Sequence, residues 1–222
     1  MNIAGYIDHT LLKPEATTTD LLNLCREAVR YRFAAVCVNP YQVGFASKQL
    51  RHSPVKVSAV VGFPLGATTA TVKSFEAAGA VADGAGEIDL VMNIGAFKDG
   101  RWEYVLEELT AVVQVACGRP VKVIIETGLL TDAEKDTACR LARRAGARFV
   151  KTCTGFGPGE ATVADIYLMK RAAGPGVGVK ASGGIRTRRA VLELLAAGAT
   201  RIGTSSGVAV MEEKGNARDG YE

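Results

Sequence analysis

Two lysines at the ends of consecutive apolar runs are the residues of this sequence with the clearest chemical potential. Lys151 ends the run Phe149–Lys151, and Lys180 ends the run Val177–Lys180. Each run is short, apolar and soon followed by glycine, which is typical of a buried strand that ends in a loop. Burial favours the neutral form of a lysine, and a neutral amine attacks carbonyl compounds to form a Schiff base. If the two side chains are close together, each also disfavours the charge on the other.

A simpler interpretation applies to any single lysine of this kind. The side chain either extends from the strand end to solvent or pairs with a carboxylate, and both arrangements preserve its charge. Two lysines that end consecutive strands favour the catalytic interpretation over this structural one. The sequence therefore predicts amine chemistry centred on Lys151 and Lys180.

The elements that must position these lysines alternate along the chain. Strands are predicted at Ile7–Thr10, Ala34–Val38, Lys56–Val61, Glu87–Met92, Val121–Ile125, Phe149–Lys151, Val177–Lys180 and Arg201–Gly203. Helices are predicted near Thr19–Tyr31, Tyr41–Leu50, Ala70–Ala82, Trp102–Ala116, Asp132–Ala145, Val163–Ala172 and Arg188–Ala197. The assignments follow the two-residue and 3.6-residue periods of hydrophobic side chains.

Strands that alternate with helices throughout 222 residues predict a single α/β domain over residues 1–222. The expected fold is a closed parallel (β/α)8 TIM barrel. An open doubly wound sheet is the alternative, although no GxGxxG motif follows an early strand to give it the commonest nucleotide-binding form. The charged tail at residues 211–222 is predicted to be frayed.

Side-chain alternation predicts which residues share the barrel interior. In Glu87–Met92 the even-numbered residues are apolar and face the helices, so Asp89 points inward. The same alternation places Lys122 with Glu126 on one face of their strand, and Lys151 on the interior face of its own. Because an inward carboxylate is costly unless it is paired, Asp89 requires a cationic partner.

The predicted interior is a network of charged groups, and such networks cluster at active sites. Its members are Asp8, Asp89, Glu126, Lys151 and Lys180. Structural ion pairing is the alternative interpretation. For Asp8 and Glu126, a supporting role that only orients or neutralises neighbouring groups is equally well founded.

Two late glycine-rich turns predict an anion site. The segments Ala181–Thr187 and Ile202–Gly207 follow the last two predicted strands, where barrels usually bind phosphate. Glycine lets backbone N–H groups approach an anion, and hydroxyl groups complete its coordination. The candidate ligands are Gly155, Gly183, Gly184, Ser205 and Ser206, with Arg186 either assisting or solvated.

Charge and composition argue against several classes of function. The net charge is only +4, with 27 Lys and Arg scattered among 23 Asp and Glu, so no nucleic-acid footprint is expected. The longest uncharged stretch, residues 57–72, contains Gly62, Pro64 and Gly66 and is too short to span a bilayer. We therefore expect no nucleic-acid partner and no membrane segment.

The cysteines and histidines point to a reduced protein without a bound metal. Five cysteines, with no CxxC pair, predict free thiols, and the chain start lacks a secretion signal, so we expect a cytoplasmic protein. Only His9 and His52 are present, with no HExxH motif and no clustered metal ligands. Cys37 and Cys153 are expected near the barrel mouth, with packing as their default role.

Several motifs together carry a family resemblance. They are Asp8–Pro14, Glu87–Asp89 with Asn93–Gly95, Glu126–Thr127, Lys151–Thr152 with Thr154–Gly157, and Lys180–Thr187. In this order, within Ile7 to about Val210, they resemble the deoxyribose-phosphate aldolase family. The resemblance implies a (β/α)8 barrel and a class I aldolase that uses no metal or other cofactor.

The resemblance also implies roles for individual residues. Lys151 would be the Schiff-base nucleophile, Lys180 the neighbouring ammonium that favours a neutral Lys151, and Asp89 the acid/base group. Thr152 would join the glycine and serine turns in binding the substrate and its phosphate. The residues themselves, through strand alternation and the late turns, add Asp8, Cys37, Glu126 and Arg186 as possible supporting residues.

The implied reaction is the reversible cleavage of 2-deoxy-D-ribose 5-phosphate to acetaldehyde and D-glyceraldehyde 3-phosphate. The partners would be small phosphosugars and aldehydes, and a homo-oligomer, either dimer or tetramer, is expected. Two alternatives remain from the residues themselves. One is a barrel that binds a phosphosugar without catalysis, and the other is a different lysine-dependent aldolase or a transaldolase-like barrel.

Overall fold

The computed structural model describes residues 2–213 and shows a closed barrel of parallel strands. The strands are β1 (Ile7–Leu11), β2 (Ala35–Val38), β3 (Lys56–Val61), β4 (Glu87–Val91), β5 (Val121–Ile124), β6 (Phe149–Lys151), β7 (Gly178–Ser182) and β8 (Arg201–Thr204). Each strand pairs with the next, and β8 closes the barrel against β1. The predicted (β/α)8 barrel is confirmed, and the open sheet is excluded.

Helices surround the barrel. They are α1 (Thr18–Tyr31), α2 (Val43–Leu50), α3 (Ala70–Ala82), α4 (Ile94–Lys98), α5 (Trp102–Val115), α6 (Asp132–Arg144), α7 (Val163–Ala173), α8 (Arg188–Ala196) and α9 (Gly207–Glu212). The predicted helices lie within about two residues of those observed. No bounds were predicted for α4 or α9, because five or six residues are too few for a hydrophobic period. The predicted frayed tail begins within α9, and its residues 214–222 lie outside the described residues.

Local sequence signals start several of these helices. Thr17 and Thr131 form capping boxes with the acidic residue three positions later, so that each side chain bonds the other residue's backbone N–H. Asn93 caps α4 by accepting the N–H of Ala96 at 3.0 Å. This cap turns the chain directly after β4, the strand that carries Asp89. None of the helices among residues 2–213 has the length and hydrophobicity of a transmembrane span.

A buried ion pair fixes the carboxyl end of β4 from outside the barrel. Lys73 of α3 forms an ion pair with Glu108 of α5 at 2.8 Å, and its ammonium group donates to the carbonyl of Val91 at 2.9 Å. Glu108 in turn accepts the N–H of Asn93 at 3.0 Å. Both charged side chains are fully buried. The pair therefore ties two helices to the end of the strand that carries Asp89.

Candidate active site

Asp89 lies at the centre of a charged network inside the barrel. Its Oδ1 atom accepts hydrogen bonds from Lys122 and Ser58, each at 2.8 Å. The apolar neighbours Ile88 and Leu90 pack into the core between strands and helices. The strand alternation therefore predicts the inward direction of Asp89 correctly, and the buried carboxylate has the cationic partners that it requires.

Lys151 and Lys180 occupy matching positions in the register of β6 and β7. Their Nζ atoms both donate to Oδ2 of Asp89, each at 2.8 Å. Lys180 is fully buried, whereas 3% of Lys151 is exposed. The two lysines therefore lie close together, and both also pair with a carboxylate, as in the structural alternative.

A second layer of ion pairs lies toward the amino ends of the strands. Asp8 of β1 accepts from Lys180 and, at 2.7 Å, from Arg201 of β8. Arg201 also contacts Glu87 at 3.0 Å, and Glu87 contacts Lys122 at 2.6 Å. Sequence reasoning missed Arg201, although alternation in β8 places it on the same inward face as Gly203.

Burial and neighbouring charges act in opposite directions on these groups. Burial alone lowers the pKa of a lysine, but Asp8 and Asp89 outweigh it and raise the pKa of Lys180 above its ordinary value. Burial raises the pKa of a carboxyl group, but Lys122 and the two lysines of β6 and β7 hold the pKa of Asp89 well below its ordinary range. Lys180 therefore remains an ammonium and Asp89 a carboxylate.

The network has more cations than anions. Lys122, Lys151, Lys180 and Arg201 share it with three carboxylates, those of Asp8, Glu87 and Asp89. In a low-dielectric interior, an excess positive charge is costly, and loss of one proton removes it. Among the four cations, Lys151 borders the adjoining cavity. Among these four cations, Lys151 is therefore the one whose amine a ligand in the cavity can reach.

A cavity of about 260 Å³ adjoins Lys151 at the carboxyl ends of the strands. Its walls come from the ends of β1, β6, β7 and β8 and from the loops that follow them. The predicted phosphate ligands in the wall are Gly155, Gly183, Gly184, Ser205 and Arg186. Lys13 and Thr154 also contribute, and neither was predicted to contact the substrate. Glycine-rich walls at this end of a barrel suit a small phosphorylated ligand.

Two predicted substrate-binding residues lie outside this wall. Thr152 is fully buried, and its hydroxyl donates to the carbonyl of Ser182 at 2.7 Å and accepts the N–H of Ser182 at 2.9 Å. Thr152 therefore joins β6 to β7. Ser206 precedes α9 and lines a neighbouring surface cavity with Glu27 instead.

The remaining supporting candidates lie around the network. The Cys37 thiol is buried 4.0 Å from Oδ2 of Asp89, and burial, followed by that carboxylate, raises the pKa of Cys37. Glu126 follows β5, and its carboxylate binds Thr154 rather than the lysines. Arg186 lies in the cavity wall. Among residues 2–213, no group of three or more His, Cys, Asp or Glu is arranged to hold a metal ion.

Comparison with known proteins places the chain in a family. A family model described as "DeoC/LacD family aldolase" matches residues 3–213. A deoxyribose-phosphate aldolase from Thermococcus gammatolerans is 57% identical over 98% of both chains. One from Streptococcus sanguinis is 55% identical over 96% of both chains.

Solved structures agree with the sequence comparisons. A tetrameric deoxyribose phosphate aldolase from Aeropyrum pernix superposes with a TM-score of 0.89 and 38% identity, over 95% of this chain and 89% of that chain. The match therefore covers nearly the whole of this chain. The chain belongs to the DeoC/LacD family of aldolases, among relatives named deoxyribose-phosphate aldolase.

Proposed function

We propose that the chain catalyses reversible cleavage of 2-deoxy-D-ribose 5-phosphate to acetaldehyde and D-glyceraldehyde 3-phosphate, through a Schiff base on Lys151. As a family member it is an aldolase, and therefore a lyase. The observation that carries the proposal is the position of Lys151, which borders both the cavity and the cation-rich network. No other residue among 2–213 combines a nucleophilic amine, a carboxylate at 2.8 Å and the cavity wall.

The reaction begins when the neutral Lys151 amine attacks C1 of the open-chain sugar. The carbinolamine that forms loses water to give a protonated imine. Removal of the C3 hydroxyl proton then makes that oxygen a carbonyl as the C2–C3 bond breaks, and the bonding electrons move into the imine. D-glyceraldehyde 3-phosphate leaves, and a two-carbon enamine remains on Lys151. Protonation of this enamine at C2, followed by hydrolysis of the imine, releases acetaldehyde and the free amine.

Asp89 and Lys180 have different roles in this scheme. Asp89 is the carboxylate nearest the reacting amine, and we assign it the transfer of protons to and from the substrate. Lys180 remains charged beside it and disfavours a second ammonium group on Lys151. Asp8 gives Lys180 a second carboxylate partner.

The turns that follow β6, β7 and β8 would hold the phosphate group. Gly183 and Gly184 both have positive φ angles, which a residue with a side chain rarely adopts, so the backbone can line the cavity closely. Ser205 adds a hydroxyl group, and Arg186 and Lys13 add positive charge. Binding the phosphate at one end of the sugar would place C1 near Lys151.

Borohydride trapping with acetaldehyde tests the proposal directly. Reduction of the imine followed by peptide mass mapping is expected to place a two-carbon adduct on Lys151. Wild-type protein without borohydride, and Lys151→Ala with it, are the controls and should carry no stable adduct. An adduct on Lys180 would exchange the two lysine roles. Failure to label either lysine in folded protein would contradict Schiff-base catalysis and favour a phosphosugar-binding barrel.

We also propose that the chain forms a homo-oligomer, either a dimer or a tetramer. The Aeropyrum pernix relative is described as tetrameric. Tyr41, in the turn before α2, and Phe75, on α3, are 93% and 82% exposed. Large exposed aromatic side chains are typical of surfaces that associate. Light scattering during size-exclusion chromatography measures the molar mass, and a monomer at micromolar concentration would contradict the proposal.

A cytoplasmic location fits the thiols. All five cysteines are free, and four of them are buried. Free thiols persist in a reducing compartment. We therefore propose that the enzyme works in the cytoplasm on small phosphosugars and aldehydes, without a nucleic-acid or membrane partner. Fractionation of the source cells tests this, since activity confined to another compartment would contradict it.

A further inference from the structure

The turn after β5 and the loop after β6 are joined by one buried carboxylate. Glu126 has a φ angle of 54°, in the left-handed region, and only 3% of the residue is exposed. Such a backbone conformation is unfavourable for a residue with a side chain, and it persists where surrounding contacts hold it in place. The Glu126 side chain therefore makes contacts that hold this conformation in place.

Those contacts all lead to Thr154. Oε2 of Glu126 accepts the backbone N–H of Thr154 at 3.1 Å and its hydroxyl at 2.6 Å. The Thr154 oxygen then accepts the N–H groups of Phe156 and Gly157, at 3.1 and 3.2 Å. The hydroxyl thus uses its one proton on Glu126 and its two lone pairs on the loop. A single carboxylate oxygen therefore organises residues 154–157.

Close packing leaves this loop little alternative. A Cβ atom on Gly157 would lie 3.0 Å from the Glu126 carboxyl carbon, and one on Gly128 would collide with the carbonyl of Pro158. Farther along, the N–H of Ala161 donates to the carbonyl of Gly183 at 3.1 Å. The loop therefore bridges the Glu126 turn and the turn after β7, and its residues 154–156 line the cavity.

We propose that Glu126 is a positioning residue that shapes the wall of the cavity facing the phosphate end of the substrate. This inference rests on the proposed function. Glu126 itself is absent from the cavity wall, so it acts through Thr154 and the loop. It should therefore govern how tightly a phosphorylated substrate binds, and leave imine formation on Lys151 largely unaffected.

Three substitutions at Glu126 separate positioning from a general effect on folding. Glu126→Ala removes the carboxylate and keeps the unfavourable backbone conformation, whereas Glu126→Gly removes both. Glu126→Gln keeps one acceptor oxygen, which is enough because Oε1 has no hydrogen-bond partner among the described residues. Thr154→Val removes the hydroxyl at the other end of the contact with little change in shape.

Steady-state kinetics with 2-deoxy-D-ribose 5-phosphate and with unphosphorylated 2-deoxy-D-ribose provide the test. For Glu126→Ala and Glu126→Gly we expect KM for the phosphorylated sugar to rise about 10-fold or more, with kcat within about 3-fold of wild type. Glu126→Gln should stay near wild type, and Glu126→Gly should unfold at a higher temperature than Glu126→Ala. Thr154→Val should raise KM similarly and add little when combined with Glu126→Ala.

Other outcomes would overturn the inference. If Glu126→Ala lowers kcat/KM equally for both sugars, Glu126 is only structural. The same conclusion follows if the rise in KM across the variants correlates with a lower unfolding temperature rather than with loss of the carboxylate. Unchanged KM in all variants of an active enzyme would also exclude the positioning role. Wild-type protein that does not cleave the phosphorylated sugar would instead remove the proposed function on which the inference rests.

Discussion

Lys151 and Lys180 donate to the same carboxylate oxygen, Oδ2 of Asp89, each at 2.8 Å. Two adjacent strands thus bring two amines to one anion. A single carboxylate can compensate the charge of one ammonium group well, but it compensates two ammonium groups only incompletely. Lys180 has a second carboxylate, Asp8, whereas Lys151 has the cavity on its other side. We propose that this asymmetry makes Lys180 the lasting cation and Lys151 the amine that reacts.

Replacement of Lys180 tests this asymmetry. In Lys180→Ala, Lys151 no longer shares Asp89 with a second ammonium group. The ammonium form of Lys151 is therefore favoured, and a higher pH is needed to generate the neutral amine. We expect activity to be low at neutral pH and to return partly in alkaline solution. The pH dependence of kcat/KM measures the effect. An unchanged pH profile would show that the two lysines are not coupled by charge.

Lys151→Ala should abolish the reaction rather than shift its pH dependence. The variant lacks the atom that forms the imine, and we expect activity to fall about 10³-fold or more at every pH. Its circular dichroism spectrum should match that of wild type, because the neighbouring cations still compensate Asp89. Substantial activity in Lys151→Ala, free of contaminating enzyme, would place the nucleophile elsewhere.

Strand alternation explains why much of the site was predictable. A period of two residues requires that Asp89, Lys122 and Lys151 point inward, once their strands are recognised. Arg201 was missed because its partner Asp8 is 193 residues away in sequence, and only closure of the barrel places β8 beside β1. Long-range pairing of this kind leaves no local pattern.

Two further differences have local causes. Thr152 follows the inward Lys151, so alternation turns it away from the interior, yet its place in the family motif suggested substrate binding. Glu126 was grouped with the lysines by the same alternation. Its left-handed backbone conformation breaks the period just after β5 and directs the carboxylate to Thr154. No hydrophobic pattern reveals a single residue of that conformation.

Asp8 makes folding stability depend on acid. Burial would raise its pKa, but Lys180, Lys122 and Arg201 lower the pKa of Asp8 from 3.8 to about 2 in the folded protein. Because the folded value is below the unfolded one, this stabilisation is present above about pH 4 and is lost as the pH falls toward 2. It amounts to about 2 kcal/mol.

The corresponding variant is Asp8→Asn, which cannot ionise. We expect it to have a lower free energy of unfolding than wild type at pH 7, with the difference shrinking between pH 4 and pH 2. Urea denaturation across this range measures both proteins under matched conditions. A difference that stays constant with pH would mean that Asp8 stabilises the fold by packing rather than by charge.

The excess cation in the network leads to a prediction at Lys122, which lies outside the cavity wall. Lys122→Met keeps the length of the side chain and leaves three cations facing three carboxylates. The network is then balanced only while Lys151 is charged, so the acid limb of the kcat/KM profile should move to higher pH.

The matched control is Lys73→Met combined with Glu108→Gln, which removes the charges of another buried pair and leaves the number of charges in the network unchanged. The control should change stability and leave the pH profile in place. If both variants give the wild-type profile, the nearest neighbours of Lys151 alone set its reactivity, and the charge balance of the wider network has no part in it.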